Sequence, residues 1–187
     1  MNLKKRTLVL VLVALAAACL LVLPSCSAFS PKDKVNDQMT ELLDAVKDGS
    51  SSQLGALAEC LDSEEVEGYG VSEKDLLNAY LEGFDYSIQD VTVNNGEAEV
   101  DVVFTVKKYS EFIDAFSETA YEIPLQDGSE DLSDEELYAQ FGEAILETLS
   151  STSTGQTEAI TFNFSKSDGE WQPVDFENTL ASALVSL

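Results

Sequence analysis

Side chains able to do covalent or proton chemistry are few in this 187-residue chain. It holds three cysteines (Cys19, Cys26 and Cys60), six tyrosines and no histidine. A thiol attacks only as the thiolate, which a nearby cation or base must favour. Cys60 lies in QLGALAECLDS, where Glu59 and Asp62 act the other way. Its helix-like surroundings predict a small, buried, apolar role. Chemistry that needs a histidine base or a histidine metal ligand is excluded by composition. No cofactor and no metal site is expected from the residue types present.

Cys26 is placed differently. The opening residues carry Lys4, Lys5 and Arg6, and residues 7–23, TLVLVLVALAAACLLVL, follow as an almost unbroken apolar run. A basic head before such a run is the pattern of a secretory signal peptide. The run is slightly shorter than the roughly 20 residues of a spanning helix. Leu23-Pro24-Ser25-Cys26 resembles the bacterial lipobox. That resemblance implies a diacylglyceryl group on the Cys26 sulfur and cleavage of the signal between Ser25 and Cys26. Cys19 follows three alanines, but cutting there would leave LLVLP at the new N-terminus. Two acyl chains hold a bilayer firmly where one binds marginally, because each buried CH₂ contributes about 0.8 kcal/mol. The plain alternative is an uncleaved anchoring helix in which the cysteine has no part.

Charge narrows the partners. The chain has 10 Lys and Arg against 35 Asp and Glu, a net charge of −25. Cleavage before Cys26 takes three basic side chains and no acidic one, so the net charge becomes −28 and Lys is the sole basic residue type left. Double-stranded nucleic acid draws most of its affinity from Lys and Arg, so it is not an expected partner. Anionic headgroups would repel the domain as well. The expected partners are the lipid bilayer, through acylated Cys26, and a small ligand or an envelope protein. Much of the acidity serves solubility.

The elements that would position any site follow from periodicity. Residues 1–25 read as signal peptide, 26–31 as lipidated tether, and 32–187 as one α+β domain, long enough to bury roughly 70% of its unfolded surface. Ser30 and Pro31 open a helix with Val35, Met39, Leu42, Leu43 and Val46 on one stripe. A second helix carries Leu54, Leu57, Ala58 and Leu61. A third starts at Ser72, with Asp75 and a Val71–Leu76 staple, and stops by Gly83. Phe84, Tyr86 and Ile88 then alternate, slip near Asp90 as a bulge would, and resume at Val91 and Val93. Asn94-Asn95-Gly96 turns into GEAEVDVVFTV, a strand buried on one face and wet on the other. Ser110 is read as the cap of a helix bearing Phe112, Ile113 and Phe116. Ser133 and Glu136 form a capping box for a longer helix. SSTSTGQ reads as a polar connector. ITFNFSKSDGEWQPVDF is a second hairpin whose Pro173 belongs on an edge or a bulge. Leu180, Ala183, Leu184 and Leu187 mark a last short helix.

This order gives a curved antiparallel sheet of about four strands packed against helices. With the lipobox, the strand GEAEVDVVFTV and the Asp-Gly-x-Trp turn of the late hairpin, it resembles uncharacterised Gram-positive bacterial lipoproteins with a nuclear transport factor 2-like (cystatin-like) domain. The resemblance implies the outer face of the cell membrane and a cone-shaped space between helices and sheet, open in some members and filled in others. Pocket candidates there are Tyr80, Tyr86, Tyr109 and Trp171. Tyr121, Tyr138, Asp85 and Asp90 are the other groups comparable with those used by isomerases and dehydratases of that superfamily. No residue is assigned as catalytic, since fold says little about function. The expected function is a membrane-anchored, non-enzymatic module that binds a ligand or a protein. The alternative is an isomerase, dehydratase or hydrolase working through carboxylate and Tyr groups in the cone, which side chains such as Phe84, Phe104, Phe116, Phe162 and Trp171 would close. The acidic loop Asp127 to Glu136 lacks the alternating ligand spacing of a calcium loop and reads as a solvated linker, with weak calcium binding as the lesser reading.

Overall fold

The computed structural model describes residues 30–126 and 129–187. Ser25, Cys26 and the signal and lipobox expectations lie outside the described residues, as do Asp127 and Gly128 of the acidic loop.

Helix α1, Pro31–Lys47, begins one residue inside the expected tether and buries Val35, Met39, Leu43 and Val46 completely. Two short helices, α2 (Gly55–Cys60) and α3 (Ser63–Glu67), precede α4 (Glu73–Tyr80). The Ser72 hydroxyl accepts the Asp75 N–H and caps α4, with Val71 and Leu76 both buried beside it. Strands β1 (Asp85–Asn94) and β2 (Glu97–Lys107) then pair as an antiparallel hairpin. Asn95 and Gly96 turn it with φ of 48° and 89°, the left-handed pair that a tight two-residue turn requires. The ladder slips between Ile88 and Asp90, where the bulge was expected.

Helix α5 runs Tyr109–Glu122 and α6 runs Asp134–Ser151, joined through two 3₁₀ turns, Ile123–Leu125 and Ser129–Asp131. The capping box of α6 is complete: Ser133 Oγ accepts from the Glu136 N–H, and Glu136 Oε2 accepts from the Ser133 N–H at 2.9 Å. Ser110 does not cap α5. The helix starts two residues earlier than such a cap implies, at Tyr109 with Lys108 as its extended flank, and the Ser110 N–H goes to the Leu187 carbonyl.

The connector was misread in part. Thr154–Gln156 forms a short strand, β3, on the C-terminal end of β2, so the sheet has five strands rather than about four. β4 (Ile160–Ser167) continues along the same edge of β2, and β5 (Glu170–Val174) pairs with β4, giving the order β1-β2-β4-β5. Between β3 and β4, Thr157 closes the break: its N–H donates to the Phe104 carbonyl and its hydroxyl accepts the Phe104 N–H. Pro173 sits on the edge strand, as a residue without an N–H must. Helix α7, Phe176–Leu184, is the last element, and residues 185–187 follow it.

One sheet face is covered. Tyr86 on β1 reaches Asp44 of α1 across the Tyr86–Phe104 pair, and Phe162 on β4 packs on Phe176 of α7 at 5.4 Å. The opposite face is open to solvent around Thr161, which donates to Asp101, but not at the end of β2, where Lys107 is buried. The architecture is α+β: an unclosed five-stranded antiparallel sheet with helices.

Candidate functional site

The space between sheet and helices is filled. Phe84, Phe104, Phe162 and Trp171 are all buried, and Phe104 stacks on Phe84 and meets Phe162 edge-on, each at 5.9 Å. The pocket candidates therefore do not converge over the sheet. Tyr80 is 2% exposed and donates to the Leu184 carbonyl at 2.9 Å, and burial pushes its phenol up. Tyr86 is half-buried beneath α1 and donates to Asp44 Oδ1 at 2.6 Å; burial first and that carboxylate second push it up to about 12. Trp171 lies on the edge strand opposite Lys166, whose ammonium is 5.9 Å from its ring centre. Asp85 and Asp90 are exposed and pair with Lys47 and Lys32, whose hydrogen bonds hold both carboxyls below the usual range. These two ion pairs fasten the two ends of α1 to β1. Tyr121 and Tyr138 are exposed.

Tyr109 is the pocket candidate that reaches a cleft. The cleft, about 200 Å³, lies among helices rather than over the sheet. Leu61, Asp62, Glu65 and Val66 come from the α2–α3 corner, with Tyr69 and Leu76 following. Tyr109, Phe112, Ile113 and Phe116 of α5 face them, and Ile145 of α6 closes one side. Leu61, Leu76, Phe112 and Ile145 are buried, whereas Ile113 is 38% exposed. Phe112 and Phe116, one turn apart, stack at 6.0 Å with their planes 16° apart. Tyr80 supports the site from behind, its ring in edge contact with Tyr109 at 6.4 Å.

Three local features shape these walls. Gly142 of α6 lies against the Tyr69 carbonyl with no room for a side chain, so α6 can approach the Tyr69–Val71 segment closely. Tyr69 in turn touches Phe141 and Tyr138 at 5.7 and 5.8 Å. Glu177 of α7 accepts the Ala56 N–H at 3.1 Å and so satisfies an otherwise open donor at the start of α2. Asp62 adopts φ 51°, a left-handed conformation that Asp tolerates better than most residues. It flanks α3 at the N-cap position without capping it, and it is among the residues that line the cleft. Burial, and then the charges of Asp62 and Cys60, hold the Tyr109 phenol above its ordinary range.

Cys60 is exposed, against the expectation of burial. The short helix α2 spends its inward face on Leu57 and Ala58, leaving Cys60 outward; the Tyr109 hydroxyl lies 3.5 Å from its carbonyl. Among the described residues no group of three or more His, Cys, Asp or Glu could hold a metal ion. Part of the acidic loop is a 3₁₀ turn closed by Ser129 Oγ on the Pro124 carbonyl. No helix among the described residues is long and apolar enough to cross a membrane.

The sequence places Phe112, Ile113 and Phe116 on one helix but marks none of them as a pocket residue. Asp62, Glu65, Tyr69, Leu76 and Ile145 were not read as site residues. Their spacing reveals helices; it does not reveal which helices leave a gap.

Fold and cleft together define an α+β protein with a filled sheet face and a helical, apolar cleft with an acidic rim. No family model matches the chain, and no curated protein matches it. A crystal structure of a lipoprotein candidate, ycdA, from Bacillus subtilis strain 168 is similar at 15% identity and a TM-score of 0.48, over 68% of this chain. The similarity covers 44% of that protein, so the chain spans less than half of its length.

Proposed function

We propose that this chain is a lipid-anchored, extracytoplasmic binding module of the nuclear transport factor 2-like kind, and that it binds through the helical cleft rather than over the sheet. The observation that carries this reading is the contrast between two spaces. Above the sheet, buried aromatic rings fill the volume where an isomerase or dehydratase of that fold would work. Between α2–α4 and α5–α6, mostly apolar residues line a cleft that reaches solvent, and Tyr109, Asp62 and Glu65 are among its lining residues. Pockets that bind small molecules have this composition, mostly apolar with a few placed polar groups. The anchor rests on the lipobox-like Leu23-Pro24-Ser25-Cys26, and the acidic surface keeps the tethered domain off anionic headgroups.

Native mass spectrometry of the full chain, released from the membrane of a Gram-positive host, tests both halves. The expected N-terminal fragment starts at Cys26 and carries a diacylglyceryl group, and Cys26→Ser yields an unlipidated chain. The expected intact spectrum shows an adduct that is lost when Phe116→Ala opens the cleft. A lipidated chain that never carries an adduct would refute the binding half. An adduct on an unlipidated wild-type chain would refute the anchor.

A further inference from the structure

The rim of the cleft is of one sign. Asp62 and Glu65 line both the apolar cleft and an adjoining basin of about 690 Å³ lined by Glu59, Glu64 and Glu73. No Lys lines either space, and none of the ion pairs among the described residues involves Asp62 or Glu65. A concavity lined by one sign of charge against apolar walls focuses the field and concentrates counter-ions. The apolar part is small: a cavity of about 150 Å³ lined by Leu, Ile and Phe is enough to take a benzene ring, and this one measures about 200 Å³. Tyr109, Phe112 and Phe116 add ring faces, which attract organic cations.

From the binding reading above, we infer a ligand class: a protonated organic amine with an apolar body of about one ring. Its body lies among Phe112, Phe116 and Ile145, and its ammonium meets the carboxylates of Asp62 and Glu65. A neutral molecule of the same shape gains the apolar contacts alone. A carboxylate of the same shape meets two like charges.

The test uses three probes with one body: 2-phenylethylamine, 2-phenylethanol and 3-phenylpropionate. Each is titrated into the full chain in phosphatidylcholine vesicles, with empty vesicles as the blank, and followed by saturation-transfer NMR at physiological salt. The expected order is amine, then alcohol about tenfold weaker, then carboxylate without measurable binding; exposed carboxylates acting across a short gap justify no larger factor. Asp62→Asn with Glu65→Gln, both at exposed positions, should bring the amine to within about twofold of the alcohol and leave the alcohol unchanged. Equal binding of amine and alcohol by the wild type would overturn the amine inference while leaving the cleft as a binding site. A tenfold preference that survives the double substitution would overturn it too, by assigning the preference to the overall charge. If none of the three binds at millimolar concentration, both the amine inference and the cleft as a small-molecule site fall.

Discussion

Gly142→Ala sets two physical effects against each other. Gly142 is interior to α6, and replacing an interior glycine by alanine normally stabilises a helix by about 1 kcal/mol. Here the added carbon would fall on the Tyr69 carbonyl oxygen, 3.3 Å from its carbon and 3.1 Å from Val71 Cγ2. The obstacle is backbone, so no flexible side-chain end can swing away, and α6 or the Tyr69–Val71 segment must move. Overpacking of this kind costs about 1–3 kcal/mol, and a forced backbone shift belongs in the upper part of that range. The net expectation is destabilisation by about 1–2 kcal/mol, despite the better helix former. For a domain of this size each kcal/mol lowers Tm by roughly 2–4 °C, so Tm should fall by a few degrees. Trp171, the sole tryptophan and 7% exposed, reports unfolding of the full chain in vesicles by fluorescence. Because Tyr69 is a wall of the cleft, phenylethylamine affinity should fall as well. A Gly142→Ala protein that melts at or above the wild type would refute the packing argument and leave propensity as the dominant effect.

Two further outcomes follow from the tyrosines. Tyr80→Phe removes the buried bond to the Leu184 carbonyl and should cost about 1–2 kcal/mol, read as a lower Tm; an unchanged Tm would mean that another donor already satisfies that carbonyl. Burial and the Asp44 carboxylate push Tyr86 up to about 12 in the folded chain, against about 10 for an unfolded tyrosine. Its contribution to stability is therefore complete below about pH 10 and is lost as the pH rises from there through about 12. Asp44→Asn should lower the Tyr86 transition in the ultraviolet phenolate titration, and a transition that stays in place would assign the whole shift to burial.

Local structure was legible to the extent that it is enforced locally. Asn95-Gly96 turns because few other residues accept two successive positive φ values, and Ser133 with Glu136 closes a box using only residues three apart. The alternation of Ala98, Val100, Val102, Phe104 and Val106 named the buried face of β2, all five being buried. Thr154–Gln156 was missed because its strand character comes from the free edge of β2 and not from its own polar residues. Cys60 was misplaced for a related reason: on a helix as short as α2, the inward face is chosen by what packs against it. Phe112, Ile113 and Phe116 are legible as apolar residues of one helix, yet one of the three is buried and the other two border open space.

By itself, the sequence determined composition, charge, the likeness to a lipobox and the period of each element, all of which depend on residues adjacent or a few positions apart. It thereby excluded histidine chemistry and made duplex nucleic acid an unexpected partner. Tertiary structure alone decided that rings fill the space above the sheet, that Tyr80 spends its hydroxyl on α7, and that Asp62 and Glu65 rim an apolar cleft facing α5. A cleft is the volume left over when helices distant in sequence pack imperfectly. Side-chain size, backbone approach at positions such as Gly142 and the exclusion of water set that volume together, and no local pattern encodes their sum.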